Sequence, residues 1–248
     1  MKALFSGVIA QATALWRPNA DLLLRIVGVF FFLPALAQDL FLTRPKPGDT
    51  IQNIWQNIID WELQNIQWLI PSALIQSLGS AVVLVLLIDR SRPRLDEALL
   101  RALRLLPGLI LIWLVSGMLV AFGTMALIVP GLFLLGRMFV VGAAYVDHPE
   151  QGPFGALTDA VQRTRGNGWL LCGIALGLMF ASALLLTLAQ ALVSGLAVMG
   201  VSGPVHGLIA DVATAAISTL EALAQLLLQA AAYQLLTRAG ESEGRPRG

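Results

Sequence analysis

Six stretches of this chain are long and apolar enough to cross a lipid bilayer, at approximately Leu22–Phe41, Ile66–Ile88, Leu106–Val129, Leu132–Val146, Trp169–Leu192 and Val205–Leu236. A hydrocarbon core about 30 Å thick is crossed by about 20 apolar residues of helix, and a short span manages with fewer. No water is present there to bond free N–H and C=O groups, so the segments read as helices and not strands. The pattern predicts an all-α polytopic membrane protein with six transmembrane helices. Charged residues make up only 12% of the chain, against about 25% in an ordinary soluble domain. Six spans in 248 residues leave no room for a separate soluble domain. Residues 1–238 read as one membrane domain and 239–248 as a disordered C-terminal tail.

The net charge of +1 says nothing about partners, but the placement of charge does. Twelve Lys and Arg residues fall in the N-terminus, the Asp89–Arg104 and Asp147–Gly168 loops and the C-terminal tail, against two, Arg44 and Lys46, on the other side. Basic residues stay on the cytoplasmic side of a membrane, which places both termini there. A competing reading of the start is a signal peptide, with Ala35-Leu36-Ala37 imitating a cleavage site after the apolar run Ile26–Leu33. Against it, the basic region before that run would be 25 residues long and would include Asp21. A retained first span, kinked by Pro34, is the expectation.

Three amphipathic stretches each precede a pair of spans on the basic side: Phe5–Trp16, Leu95–Leu105 and Phe154–Arg165. In the second, Arg90, Arg94, Glu97, Arg101 and Arg104 form a charged stripe opposite Leu95, Leu99 and Leu103. Helices divided in this way lie along the membrane interface. The unit "interfacial helix, span, span" suggests a threefold internal repeat; the alternative is that the loops simply carry amphipathic helices. Five arginines beside a span read as contacts to anionic lipid headgroups, with Arg90, Arg94, Arg101 and Arg104 the candidates, and not as a nucleic-acid patch. On the other side, Thr50–Gln67 interleaves Ile and Trp with Asn and Gln, and is expected to lie flat in the interface where indoles prefer to sit.

Charges and amides inside spans are costly unless paired or hydrated, and so are the best site candidates. Arg137 falls within the fourth span. On the sixth, Gly207, Asp211, Thr214, Ser218, Glu221, Gln225 and Gln229 recur at steps of three and four and share one helix face. Two readings stand: a buried Arg137–Glu221 pair with interhelical amide bonds, or a hydrated path or headgroup site in which Glu221 accepts a proton and Arg137 holds an anion. Arg25 lies near a span end and can snorkel or pair with Asp21.

Gly200-Val201-Ser202-Gly203 resembles the nucleophile segment of rhomboid proteases, but the base would have to come from a later span. The histidines are His148, in a loop, and His206, on the same segment as the serine. A turn between spans five and six explains these residues better. Gly173 and Gly177 make a Gly-x-x-x-Gly face suited to close helix contact, within the bundle or in a homo-oligomer; Gly131 and Gly136 do so less cleanly. The single Cys172 supplies no disulfide framework or metal site within one chain. Phosphate-loop, dinucleotide and zinc signatures are missing from the sequence, so no cofactor, metal or catalytic residue is expected.

The segment Leu105–Ile174 carries a family resemblance. It reads Leu-Leu-Pro-Gly around Pro107, Ile128-Val129-Pro130-Gly131, Arg137, Val146-Asp147-His148-Pro149, Ala156–Arg165, then Gly168-Trp169. This order resembles the YciC-like bacterial inner-membrane proteins, and is similar to the membrane domain that accompanies some glycerophosphodiester phosphodiesterases. The resemblance implies a six-helix protein of the bacterial inner membrane with a non-enzymatic role in lipid or envelope homeostasis. The phosphodiesterase barrel is missing, so that activity does not carry over. The alternative is a small transporter or lipid-translocating protein using the polar sixth helix.

Overall fold

A computed structural model describes residues 2–42, 50–89, 91, 93–198 and 204–243. The described chain is helical: α1 (Lys2–Val27), α2 (Leu33–Phe41), α3 (Ile51–Ile88), α4 (Leu95–Ala126), α5 (Ile128–Met138), α6 (Val141–Asp147), α7 (Gly152–Arg163), α8 (Gly168–Val198) and α9 (Pro204–Glu243). Six helical units are long and apolar enough to span a membrane: α1 with α2, α3, α4, α5 with α6, α8 and α9. The protein is an all-α, multi-pass membrane protein.

The packed core gathers at the end of the bundle that carries most of the basic residues. There Ala81–Val85 of α3 are buried on every side, which an interior helix permits because the whole run is apolar. Leu23 and Val27 of α1, Leu109 and Ile112 of α4, Val140–Val146, Leu171 of α8 and Ala230–Tyr233 of α9 close around them. Toward the far end, Trp55 and Trp68 of α3, Phe122 of α4, Phe180 of α8 and Val205 of α9 lie exposed. The surface of 14872 Å² exceeds the ~10,700 Å² expected of a compact globular chain of 26.5 kDa. The helices therefore splay, and their apolar far ends suit lipid better than water.

Several local expectations change. Phe5–Trp16 and Leu95–Leu105 are not separate interfacial helices but run unbroken into α1 and α4. Their apolar faces meet protein: Val8, Ala98, Ala102 and Leu105 are buried in the core. Of the three amphipathic stretches, the third alone forms a helix of its own, α7. Thr50–Gln67 likewise continues into the second span: Thr50 caps α3 by accepting from the Asn53 N–H at 3.2 Å, and the 38 residues that follow reach about 57 Å. Pro71 costs that helix a single backbone bond and does not end it. At its other end α9 continues past Arg238 to Glu243, so the start of the expected tail is helical; residues 244–248 lie outside the described residues.

The distortion at Pro34 is a π turn. Residues Gly28–Phe32 widen to a five-residue repeat, with the Leu33 N–H bonded to the Gly28 carbonyl. A proline ring strikes the carbonyl four residues earlier, here that of Phe30, and a wider turn moves it aside. The hairpin between the third and fourth spans turns on Leu127 alone, in extended geometry, three residues before the Pro130-Gly131 pair that separates the two apolar runs in the sequence. Pro130 instead sits in the first turn of α5, where no backbone bond is lost. Gly131 lets α5 pass α4: a side chain there would come within 2.6 Å of the Thr124 Cα.

Candidate functional site

The fourth span is broken. Its first half, α5, ends at Met138, and Val140, at φ −100° and ψ 4°, joins it to α6. Irregular backbone at membrane depth is tolerated where it is buried in protein or lines a cavity, and here it lines one. A groove of about 440 Å³ lies between α4 on one side and α8 and α9 on the other, with the α5–α6 break as its floor. Its walls include Gly117, Ala121 and Met179, all exposed, so the groove opens sideways to the bilayer.

Four polar side chains converge there: Ser116 and Trp113 from α4, Gln225 and Gln229 from α9. The Ser116 hydroxyl is buried and has no hydrogen-bond partner. Among the described residues neither glutamine amide nor the Trp113 indole N–H has one either. Gln225 lies nine residues from Gln234, whose amide meets the end of α3 at Leu87. That separation is about 14 Å along the helix, close to half of the hydrocarbon thickness. Unsatisfied polar groups at such depth cost several kcal/mol each in hydrocarbon. A groove that collects four of them is prepared for a polar guest.

The rest of the α9 stripe divides by partner. Thr214 and Ser218 donate to the carbonyls of Ala210 and Thr214, one turn back in the same helix, at 2.9 and 3.0 Å. Glu221, one turn from Gln225 and half-buried, has no ion pair or hydrogen bond among the described residues. Asp211 is half-buried and interacts with a neighbour.

Arg137 does not pair with Glu221. It ends α5 against α7 and α8, where its Nη1 donates to the Val161 carbonyl at 3.1 Å and its guanidinium lies 4.8 Å from the Phe133 ring centre. Val161 is in the last turn of α7, whose carbonyls have no onward helical donors. The positive charge therefore meets the negative end of a helix dipole instead of a carboxylate. Its Nε stays buried and unbonded. The expected Asp21 partner of Arg25 is also not engaged: Arg25 is exposed, without an ion pair among the described residues.

Of the headgroup candidates, Arg101 is ion-paired with Asp89 and is not a free contact. Arg94 and Arg104 are exposed on α4 or at its start; Arg94 reaches Asp96 only at 3.9 Å, and Arg90 lies outside the described residues. Ser202 does too, while His206 is bonded to the Val193 carbonyl of α8 at 3.0 Å. Within the bundle, Gly131 and Gly136 make close helix contacts, whereas Gly173 and Gly177 make none. A side chain at Gly136 would sit 2.7 Å from the Cys172 N, whereas nothing lies within 4 Å at Gly173 or Gly177. Among the described residues no group of three His, Cys, Asp or Glu side chains is placed to hold a metal ion.

Sequence reasoning missed a clamp at the basic end. Tyr233 donates to Asp147 at 2.9 Å, and Arg163 donates to Asp159 at 2.6 Å and to Thr237 at 2.9 Å while lying over the Tyr233 ring. These bonds fasten α9 to α6 and α7, and only the acidic turn at Asp147 hinted at them.

Fold and groove together define a polytopic helical membrane protein with an internal polar site. No protein-family model, curated protein or solved structure matches the chain.

Proposed function

We propose that this protein is a non-enzymatic component of membrane lipid or envelope homeostasis that holds a membrane amphiphile in the groove. The observation that carries the reading is the convergence of Ser116, Gln225 and Gln229, unpartnered, on an apolar cavity open to the bilayer. Such walls suit a hydrocarbon chain, and the donors and acceptors suit a hydroxyl, ester or amide carried on it. The Lys/Arg bias supports an orientation with both termini cytoplasmic, and the resemblance to YciC-like proteins supports residence in a bacterial inner membrane. Arg94 and Arg104, with Arg90, remain the proposed contacts to anionic headgroups, and a homo-oligomer is compatible with the exposed far ends. Translocation along α9 is the second reading, favoured by the unpartnered Glu221 one turn from the groove.

The test is lipid retention. Protein purified in mild detergent should carry a bound amphiphile by mass spectrometry, and the Gln225→Leu/Gln229→Leu variant should lose it. Replacing unpartnered amides with apolar groups should not lower stability, so the loss would not reflect unfolding. Equal retention by both proteins would reject the reading.

A further inference from the structure

A second cavity, of about 600 Å³, lies at the basic end between α1, the end of α3 and α9. One face of α1 lines it, from Gln11 through Leu15, Asn19 and Leu22, opposite Leu86–Asp89, Pro93, Gln234 and Arg238. The polar groups of this cavity are oriented by backbone, which fixes what they offer a ligand. Gln234 donates its amide N–H to the Leu87 carbonyl at 2.9 Å, so its Oε1 must turn toward Gln11. Gln11 therefore presents its own NH₂ to Gln234, at 2.7 Å, and its Oε1 is left over. Asn19 gives one N–H of its NH₂ to the Leu15 carbonyl at 2.9 Å, and its Oδ1 is left without a partner. Each step follows from the rule that an amide has one donating and one accepting end.

Asp89 adds a carboxylate, half-buried and bonded to the Ser91 N–H and to Arg101, with lone pairs remaining on both oxygens. Each amide NH₂ keeps a second N–H, so among the described residues the cavity offers donors as well as acceptors, and the Asp89 carboxylate gives the acceptors the excess. Its rim carries the opposite charge: Arg238 is exposed and has no ion pair among the described residues. Between them Leu15, Leu22, Leu23 and Leu86 supply apolar wall.

We infer that this cavity binds the headgroup of a zwitterionic phospholipid with a primary ammonium. The ammonium donates its N–H bonds to the oxygens of Asn19 and Asp89, the phosphate meets Arg238, and the acyl chains leave along the leucines. The Asp89 carboxylate and the unpartnered amide oxygens favour N–H donors, so a quaternary ammonium of equal charge, which has none, is discriminated against. The cavity is separate from the groove, and the assignment does not depend on the groove being occupied.

The experiment is competition within one sample. Full-length protein in detergent receives equimolar phosphatidylethanolamine and phosphatidylcholine of matched chains, and adducts are read by native mass spectrometry. We expect phosphatidylethanolamine to be preferred about tenfold, the worth of one hydrogen bond to a charged group. Asn19→Leu should collapse that preference, and Arg238→Gln should weaken both lipids together while Arg238→Lys restores them. The ratio is taken within one sample and does not depend on the fraction folded. Gln225→Leu/Gln229→Leu should leave it unchanged, which separates this site from the groove. Equal binding of the two lipids, or an unchanged ratio in Asn19→Leu, overturns the inference. Displacement of phosphatidylethanolamine by equimolar free phosphoethanolamine overturns the assignment to a lipid.

Discussion

Replacing Gly136 by alanine tests how α5 is held against α8. The added methyl would fall against the Gly168 carbonyl oxygen, 2.7 Å from the Cys172 N and 2.9 Å from its Cβ. Two of these atoms are backbone, so no rotamer change relieves the contact; an ordinary 3.4 Å separation requires the helices to part by about 0.7 Å for the Cys172 N and by more for the nearer Gly168 oxygen. Overpacking of this kind costs about 1–3 kcal/mol. Alanine also favours a helix over glycine by about 1 kcal/mol, which blurs a single measurement. Gly173→Ala cancels that term, because a methyl there meets nothing within 4 Å. The difference between the two variants is therefore the packing cost alone, about 1–3 kcal/mol. The single Cys172 is buried beside Gly136, so a thiol-reactive fluorophore reads unfolding of that contact as the protein is heated in detergent. Gly136→Ala should melt below the parent and Gly173→Ala at or above it. Equal melting of the two variants would refute the close α5–α8 contact.

Two further outcomes follow from the charges. Arg137→Leu and Glu221→Leu share no contact, so their effects on stability should add within about 0.5 kcal/mol; a larger coupling in a double-mutant cycle would restore the ion pair. For Asp89, burial works against ionisation, but the Ser91 amide and hydroxyl and the Arg101 guanidinium outweigh it and hold the carboxyl below its ordinary value of 3.8. A depressed folded pKa contributes stability above the unfolded value, lost as pH falls through the folded one. The stability gap between parent and Asp89→Asn should accordingly be full at neutral pH and narrow below pH 3.8, and a gap that is flat down to pH 2 would contradict the pairing.

The six spans were legible because run length is a direct reading of bilayer thickness. Periodicity, by contrast, reports an apolar face without saying what covers it. Phe5–Trp16 and Leu95–Leu105 show the same pattern whether Val8 and Ala102 meet lipid or, as they do, the core. The spacing of Gly173 and Gly177 had the same defect, since it does not say which side of α8 faces a neighbour. The α9 stripe pointed to Gln225, because amides at helical steps in an apolar run have few explanations. Ser116 gave no signal of its own; a serine in a span is ordinary until its hydroxyl is found without a partner. The partner of Arg137 was unreadable for a plainer reason: a backbone carbonyl at the end of α7 has no side-chain signature, and a lone carboxylate elsewhere is the pairing that a sequence invites.

The turn at Leu127 also bears on how the protein enters its membrane. With one residue between α4 and α5, the two helices have no slack to be threaded at different times. The weaker partner carries Arg137, and an arginine in mid-span opposes insertion by about 2.5–3.5 kcal/mol on translocon scales. The long, uncharged stretch that α4 presents beyond Arg104 offsets that resistance only if both helices partition as one hairpin. Insertion of the pair is accordingly expected to wait until α5 has left the ribosome, and a longer linker at Leu127 to release α4 to insert alone and strand its partner.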